Sequence, residues 1–140
     1  MNLKRIIDIY EVIKDRLPKT YPRPKMAFYE DEDCLATDNK IRRDFDNLYA
    51  VCDPDSNTIK LPLTMKIEYT DKRGIKHYRN TPVTKMDEGV IANTILHEIG
   101  HLYAGEKYGY DSKTYHDETY CNRFAARWVR RLKKERLIDS

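Results

Sequence analysis

The chain has 140 residues, of which 40% are hydrophobic and 35% are charged, a balance typical of one globular domain and not of a disordered chain. The net charge is only +3, so overall charge gives no argument for binding to nucleic acid or to a membrane surface. No apolar run approaches the roughly 20 residues of a membrane span, and Asp8, Glu11 and Lys14 interrupt the N-terminal segment where a signal peptide would be apolar. We therefore expect one cytoplasmic domain over residues 1–140.

The N-terminal segment predicts a helix followed by a strand. Apolar residues recur at helical spacing through residues 2–17, and Pro18 ends the pattern. Residues 25–29 are predicted to form a first strand, and the acidic run over residues 30–33 a solvated turn.

Two further pairs of strands are predicted in the middle of the chain. Residues 47–52 and 58–63 flank a segment rich in turn-forming residues, and Pro62 places the second strand at a sheet edge or ends it early. Residues 65–70 and 75–79 are predicted to form another hairpin, as an exposed insertion.

The chain has three cysteines, an odd number with no CxxC spacing, which favours reduced thiols: Cys34, Cys52 and Cys121.

Two helices are predicted in the C-terminal half. Thr84 and Asp87 have the spacing of a capping box, and the helix they open continues to about Ala104, with Gly105 and Gly109 marking its end. Its apolar stripe is Ile91, Ile95, Ile99 and Leu102.

A second box, formed by Thr114 and Asp117, is predicted to open the last helix. The predicted buried face of this helix is Cys121, Phe124, Ala125, Trp128 and Leu132. The order of elements, with a small sheet between helices, predicts the α+β class.

The segment His97-Glu98-Ile99-Gly100-His101 carries the most specific chemical signal. Two histidines four residues apart lie on one helix face, one turn apart, and both imidazoles can bind a single Zn²⁺. Glu98 stands beside them, where it can act as general base toward a water activated by the metal. The pattern predicts a zinc-dependent hydrolase site in which His97 and His101 bind the metal.

A catalytic zinc site usually has three protein ligands and one water. The candidates downstream are His116, Asp117 and Glu118. Glu118 and Asn122 are four residues apart, so Glu118 could bind the metal while Asn122 hydrogen-bonds a ligating histidine.

The HExGH segment, followed by Glu118, Asn122 and the Phe124-Ala125-Ala126 segment, resembles the ImmA/IrrE family of metallopeptidases over roughly residues 84–129. The resemblance implies a minimal zincin-like domain, in which a small antiparallel or mixed sheet packs on the HExxH helix between N-terminal and C-terminal helices. It also implies zinc bound by His97, His101 and Glu118, with Glu98 as general base and Asn122 in support. The implied activity is cleavage of a protein substrate such as a separate transcriptional repressor of a phage or mobile element.

An SprT-like protease is the alternative family, since it also uses HExxH but takes a histidine as third ligand, here His116. A non-catalytic module that binds zinc for stability is the alternative from a different class.

Any one of five tyrosines near the predicted cleft could donate a hydrogen bond to the oxyanion of the transition state: Tyr103, Tyr108, Tyr110, Tyr115 and Tyr120. The basic residues within 123–136 are interpreted as a solvated helix face, with nucleic-acid binding as a third hypothesis.

Overall fold

The computed structural model describes residues 1–29 and 50–139, which form three α-helices and five β-strands. This architecture confirms the predicted α+β class. A short 3₁₀ helix, Val83–Lys85, precedes the second α-helix. The other elements are α1 (Leu3–Arg16), β1 (Lys25–Tyr29), β2 (Val51–Asp53), β3 (Thr58–Pro62), β4 (Thr64–Thr70), β5 (Lys76–Pro82), α2 (Glu88–Tyr108) and α3 (Glu118–Lys134).

Helix α1 agrees with the predicted helix to within a residue or so at each end. The Asn2 side chain accepts a hydrogen bond from the Arg5 backbone N–H at 2.9 Å and so caps the first turn. The helix ends at Arg16 because Leu17, which precedes Pro18, is extended. Its buried face is Ile6, Ile9, Tyr10 and Ile13, whereas Leu3 and Ile7 of the apolar pattern are exposed.

A three-stranded mixed sheet has the order β1-β3-β2, with β1 parallel and β2 antiparallel to β3. Of the two alternatives predicted for Pro62, the early end is confirmed, because β3 ends at Pro62 and is the middle strand of this sheet. Pro62 is tolerated there because it is the terminal residue of the strand. Residues 47–49 of the predicted strand, the acidic run 30–33 and Cys34 lie outside the described residues.

The predicted hairpin is present as β4 and β5, which pair antiparallel in a separate two-stranded sheet. The Asp71 carboxylate organises its turn by accepting hydrogen bonds from the backbone N–H groups of Arg73 and Ile75, at 2.8 and 3.0 Å. Gly74 has φ 82, a conformation that favours glycine. The hairpin is not wholly an exposed insertion, since Met65 of β4 is buried in the hydrophobic core.

Helix α2 differs from its prediction at both ends. It begins at Glu88, and Asp87 precedes it without a side-chain capping bond, so the predicted capping box is wrong. Thr84 lies in the 3₁₀ helix instead. Helix α2 also continues past Gly105, which is buried against the Tyr110 ring, and ends at Tyr108, with Gly109 as its C-cap at φ 99.

Helix α3 is capped by Asp117 alone, whose carboxylate accepts from the N–H groups of Thr119 and Tyr120 at 2.9 and 3.2 Å. The predicted box with Thr114 is therefore wrong, since Thr114 contributes its carbonyl to the preceding turn. The five residues predicted as its buried face are all buried. They pack against α2 beside Gly100, where an added Cβ would lie only 3.4 Å from the Cα of Cys121.

The core lies between the three helices and the mixed sheet, and the predicted stripe of α2 forms its centre. Ile91, Ile95, Ile99 and Leu102 are at most 1% exposed. Cys52 is half-buried and Cys121 is buried, and both are free thiols. Within the part of the chain that the structure describes, no helix is both long and apolar enough to cross a membrane.

Glu88 connects the first turn of α2 to α1 through a bidentate ion pair with Arg5, at 2.7 and 2.8 Å. The hydrogen bond from Arg5 lowers the pKa of the Glu88 carboxyl. The stabilisation of the folded state by this ion pair is therefore fully present above the unfolded-state pKa of Glu88, about 4.3. It is lost as the pH falls through the lower folded-state pKa. A double-mutant cycle with Arg5→Gln and Glu88→Gln should give a coupling of about 1 kcal/mol at pH 7. A coupling that persists unchanged at pH 2 would contradict this assignment.

Candidate metal centre

Helix α2 places His97 and His101 one turn apart on the side that faces the start of α3. Their Nε2 atoms are 3.2 Å apart, and the two rings meet edge to face. Both side chains are mostly buried, with 15% and 12% exposure. One ligand atom from each of His97, Glu98 and His101 lies within 4.8 Å of the others, so this group could bind a metal ion.

Glu118 brings a third potential ligand from a different helix. It is the first residue of α3, directly after the Asp117 cap, so the capping geometry fixes where its backbone lies. One carboxylate oxygen lies 2.8 Å from Nε2 of His97, and the other lies 3.0 Å from Nε2 of His101. The structure thus brings together the three residues that the sequence suggested as a ligand set.

The orientation of His101 is set by the backbone of the loop between α2 and α3. Its Nδ1–H donates a hydrogen bond to the carbonyl oxygen of Tyr115 at 2.5 Å. In the neutral ring this bond leaves the lone pair on Nε2, which faces His97 and Glu118. Such a partner on the far nitrogen is the arrangement that metal-binding histidines use to fix their tautomer.

The donor set and its spacing fit a small divalent cation. Three ligand atoms in tetrahedral geometry, each about 2.0–2.1 Å from an ion, are separated by about 3.3 Å. The Nε2 atoms of His97 and His101 are 3.2 Å apart, and each lies 2.8 or 3.0 Å from a different oxygen of the Glu118 carboxylate, so the three groups are close enough to bind one such ion. Two imidazole nitrogens and a carboxylate oxygen are also the donor types that zinc accepts.

Glu98 is the one buried charged or polar residue recorded among the described residues, with 7% of its surface exposed. Burial raises the pKa of its carboxyl to about 8, and the negative charge of Glu118 acts in the same direction. Hydrogen bonds from the thiol and backbone N–H of Cys52 act in the opposite direction. A cation held by the two imidazoles would also lower this pKa, because it favours the charged carboxylate.

Cys52 and Tyr115 form the wall of the site opposite α2. The Cys52 Sγ and the Tyr115 hydroxyl are 3.9 Å apart, and burial raises the pKa of both groups above their usual range. Both therefore remain protonated at neutral pH. Tyr115 consequently contacts the site twice, through its carbonyl at His101 and through its hydroxyl at Cys52.

These groups line a cleft of about 860 Å³ between β2, α2 and the start of α3. Strand β2 contributes Val51 and Cys52, which places one of the two outer strands of the described sheet along the cleft. Of the five tyrosines considered from the sequence, Tyr115 is the one that lines this cleft. Tyr103 packs instead on Tyr21 and Phe124, away from the metal-binding group.

Asp117, another candidate ligand, caps α3, and the candidates His116 and Asn122 line the cleft but contact neither imidazole. His116 is exposed, and its ring packs against the ring of Tyr115. Asn122 lines the cleft, yet within the described residues no hydrogen bond joins it to His97 or His101. The histidine-supporting role suggested for Asn122 is filled at His101 by the Tyr115 carbonyl.

The described elements thus form an α+β fold in which a His-Glu-His group that could bind a metal ion lines a cleft. No family model, curated protein or solved structure matches this chain.

Proposed function

We propose that this chain is a zinc-dependent endopeptidase of the zincin-like, ImmA/IrrE type. The observation that supports the proposal is the convergence of His97, His101 and Glu118 from two helices beside the buried carboxyl of Glu98. In an HExxH sequence that occurred by chance on a helix surface, we would not expect a carboxylate from another helix to contact both histidines. We would also not expect one histidine ring to be hydrogen-bonded to a backbone carbonyl.

In this proposal His97, His101 and Glu118 hold the zinc ion. Bound zinc makes water a competent nucleophile near neutral pH and polarises the carbonyl that is attacked. The His101 tautomer set by Tyr115 keeps Nε2 free to bind the ion.

Glu98 moves the protons. As the water oxygen attacks the carbonyl carbon of the substrate, the Glu98 carboxylate accepts a proton from that water. The same carboxyl then gives the proton to the nitrogen of the leaving amine as the C–N bond breaks. The thiol and backbone N–H of Cys52 hold the carboxylate in place for both transfers.

The substrate proposed is an extended segment of a protein. Within the described residues β2 pairs only with β3, so its other edge lies along the cleft without a partner strand from that part of the chain. A peptide that adds to this edge would place its backbone across the metal-binding group. A separate transcriptional repressor is the proposed substrate, as the family resemblance implies.

The test is hydrolysis of a fluorescence-quenched peptide library by the zinc-loaded protein. We expect cleavage that a chelator abolishes and that added zinc restores, because all three proposed ligands line the cleft, from which the ion can leave and return. Cleavage that continues in chelator would refute zinc dependence. Failure to cleave any peptide while zinc remains bound would favour the non-catalytic zinc module.

A further inference from the structure

The outward face of α3 carries a row of cations that the proposed reaction does not use. Arg123, Arg127, Arg130 and Lys134, which we call the cationic row, are spaced four, three and four residues apart. That spacing puts them on one face of the helix. All four are exposed, and they extend over roughly 16 Å at the helical rise per residue. The opposite face of α3 is the one packed in the core.

Among the described residues, no acidic side chain forms an ion pair with the cationic row, although Asp87, Glu88 and Asp139 line one pocket together with Arg130. The one acidic residue of α3 is Glu118, whose carboxylate contacts the histidines of the candidate metal centre. Glu135, just after the helix, lies near Arg16 and Arg131 instead, at 3.7 and 4.0 Å. Across residues 1–29 and 50–139, no ion pair includes a member of the row.

The charge of the chain is therefore concentrated on this helix. Helix α3 has six basic residues and one acidic residue, so it is more positive than the whole chain, whose net charge is +3. Like charges three and four residues apart repel each other and destabilise a helix. A bound polyanion would remove this repulsion. A helix face that served only solubility could carry a mixture of positive and negative charges, which would not repel one another.

The composition of the face distinguishes between two kinds of anionic partner. Stable protein interfaces depend on buried apolar or aromatic anchors. Among the described residues, none of the large hydrophobic side chains that are exposed lies on α3. Binding to a phosphate backbone needs only cations, and three of the four here are arginines, which bind phosphate in a bidentate manner.

We propose that the cationic row binds the phosphate backbone of duplex nucleic acid without reading its sequence. The row begins five residues after Glu118 and points away from the core, so the duplex would occupy the outer surface of α3. This binding is separate from the proposed peptidase function, and it can be measured without a peptide substrate.

The test is the fluorescence anisotropy of a labelled 20-base-pair DNA duplex of arbitrary sequence, titrated with the full chain between 50 and 200 mM salt. The row variant combines Arg123→Gln, Arg127→Gln, Arg130→Gln and Lys134→Gln. The matched control removes four exposed lysines elsewhere, through Lys4→Gln, Lys19→Gln, Lys72→Gln and Lys85→Gln. We expect the row variant to lose at least about tenfold in affinity at 50 mM salt. Its log–log salt slope should decrease by about 3 to 4, whereas the control should stay near the wild-type slope.

Three outcomes would overturn the proposal. The first is no binding of wild type to the duplex at 50 mM salt, and the second is equal weakening in both variants. The third is tighter binding of a labelled polyglutamate peptide than of DNA, which would indicate an acidic protein partner. Circular dichroism checks that the variants are folded. If the fourfold row variant does not fold, Arg123→Gln/Arg127→Gln and Arg130→Gln/Lys134→Gln should each show about half of the decrease in slope.

Discussion

Glu98→Gln should reduce peptide hydrolysis by about a thousandfold while leaving the metal centre intact, because the amide cannot accept a proton from the attacking water. The change preserves the shape of a side chain that is 7% exposed and packed against Cys52. The amide also avoids burying a charge, so we expect the free energy of unfolding to stay the same or increase. The measurement is the rate of library cleavage beside the zinc content of the same sample.

Glu106→Gln is a suitable control for this experiment. Glu106 lies on the same helix, is exposed, and is remote from the cleft lining. Its substitution should change neither the rate nor the zinc content. Substantial hydrolysis by the zinc-loaded Glu98→Gln variant would exclude Glu98 as the general base, and with it the proposed mechanism.

Glu118→Ala should weaken zinc binding far more than His116→Ala, because Glu118 contacts both imidazoles at 2.8 and 3.0 Å while His116 contacts neither. Loss of a residue that only supports a ligand costs roughly 10–100-fold in metal affinity. We expect loss of Glu118 itself to exceed that range. Competition with a zinc-binding dye, read as a dissociation constant, gives the comparison directly.

This pair of variants also decides between the two families considered from the sequence. The Glu118 side chain is 68% exposed, so its truncation should not disturb the core. The Asp117 cap and the buried face of α3 remain in place in both variants. A zinc affinity lost in His116→Ala and kept in Glu118→Ala would reverse the ligand assignment and favour the SprT-like alternative.

The features predicted correctly from the sequence depend on local spacing. The apolar stripe of α2 and the buried face of α3 follow from helical periodicity, and both are found in the core. The placement of His97 and His101 side by side follows from their four-residue separation within one helix. Gly100 lies where α3 approaches α2 closely, since an added Cβ would be 3.4 Å from the Cα of Cys121.

The features that were missed depend on contacts between segments distant in sequence, or on which of two nearby residues occupies the N-cap position of a helix. Nothing local to Cys52 indicates that it meets Glu98, because that contact exists only once β2 packs against α2. The two capping boxes failed because Asp87 and Asp117 each stand at the N-cap position without the upstream threonine. Pro62 indicated where β3 ends but not the position of β3 in the sheet, because that position depends on the pairing of β3 with β1.

Equilibrium dialysis against zinc, followed by metal analysis of the recovered protein, measures the central property of this site. His97, His101 and Glu118 should together retain one zinc ion per chain in the wild-type protein, and His97→Ala should retain less than about a tenth of that amount. A wild-type chain that retains no zinc, or a His97→Ala variant that retains as much as wild type, would contradict the assignment.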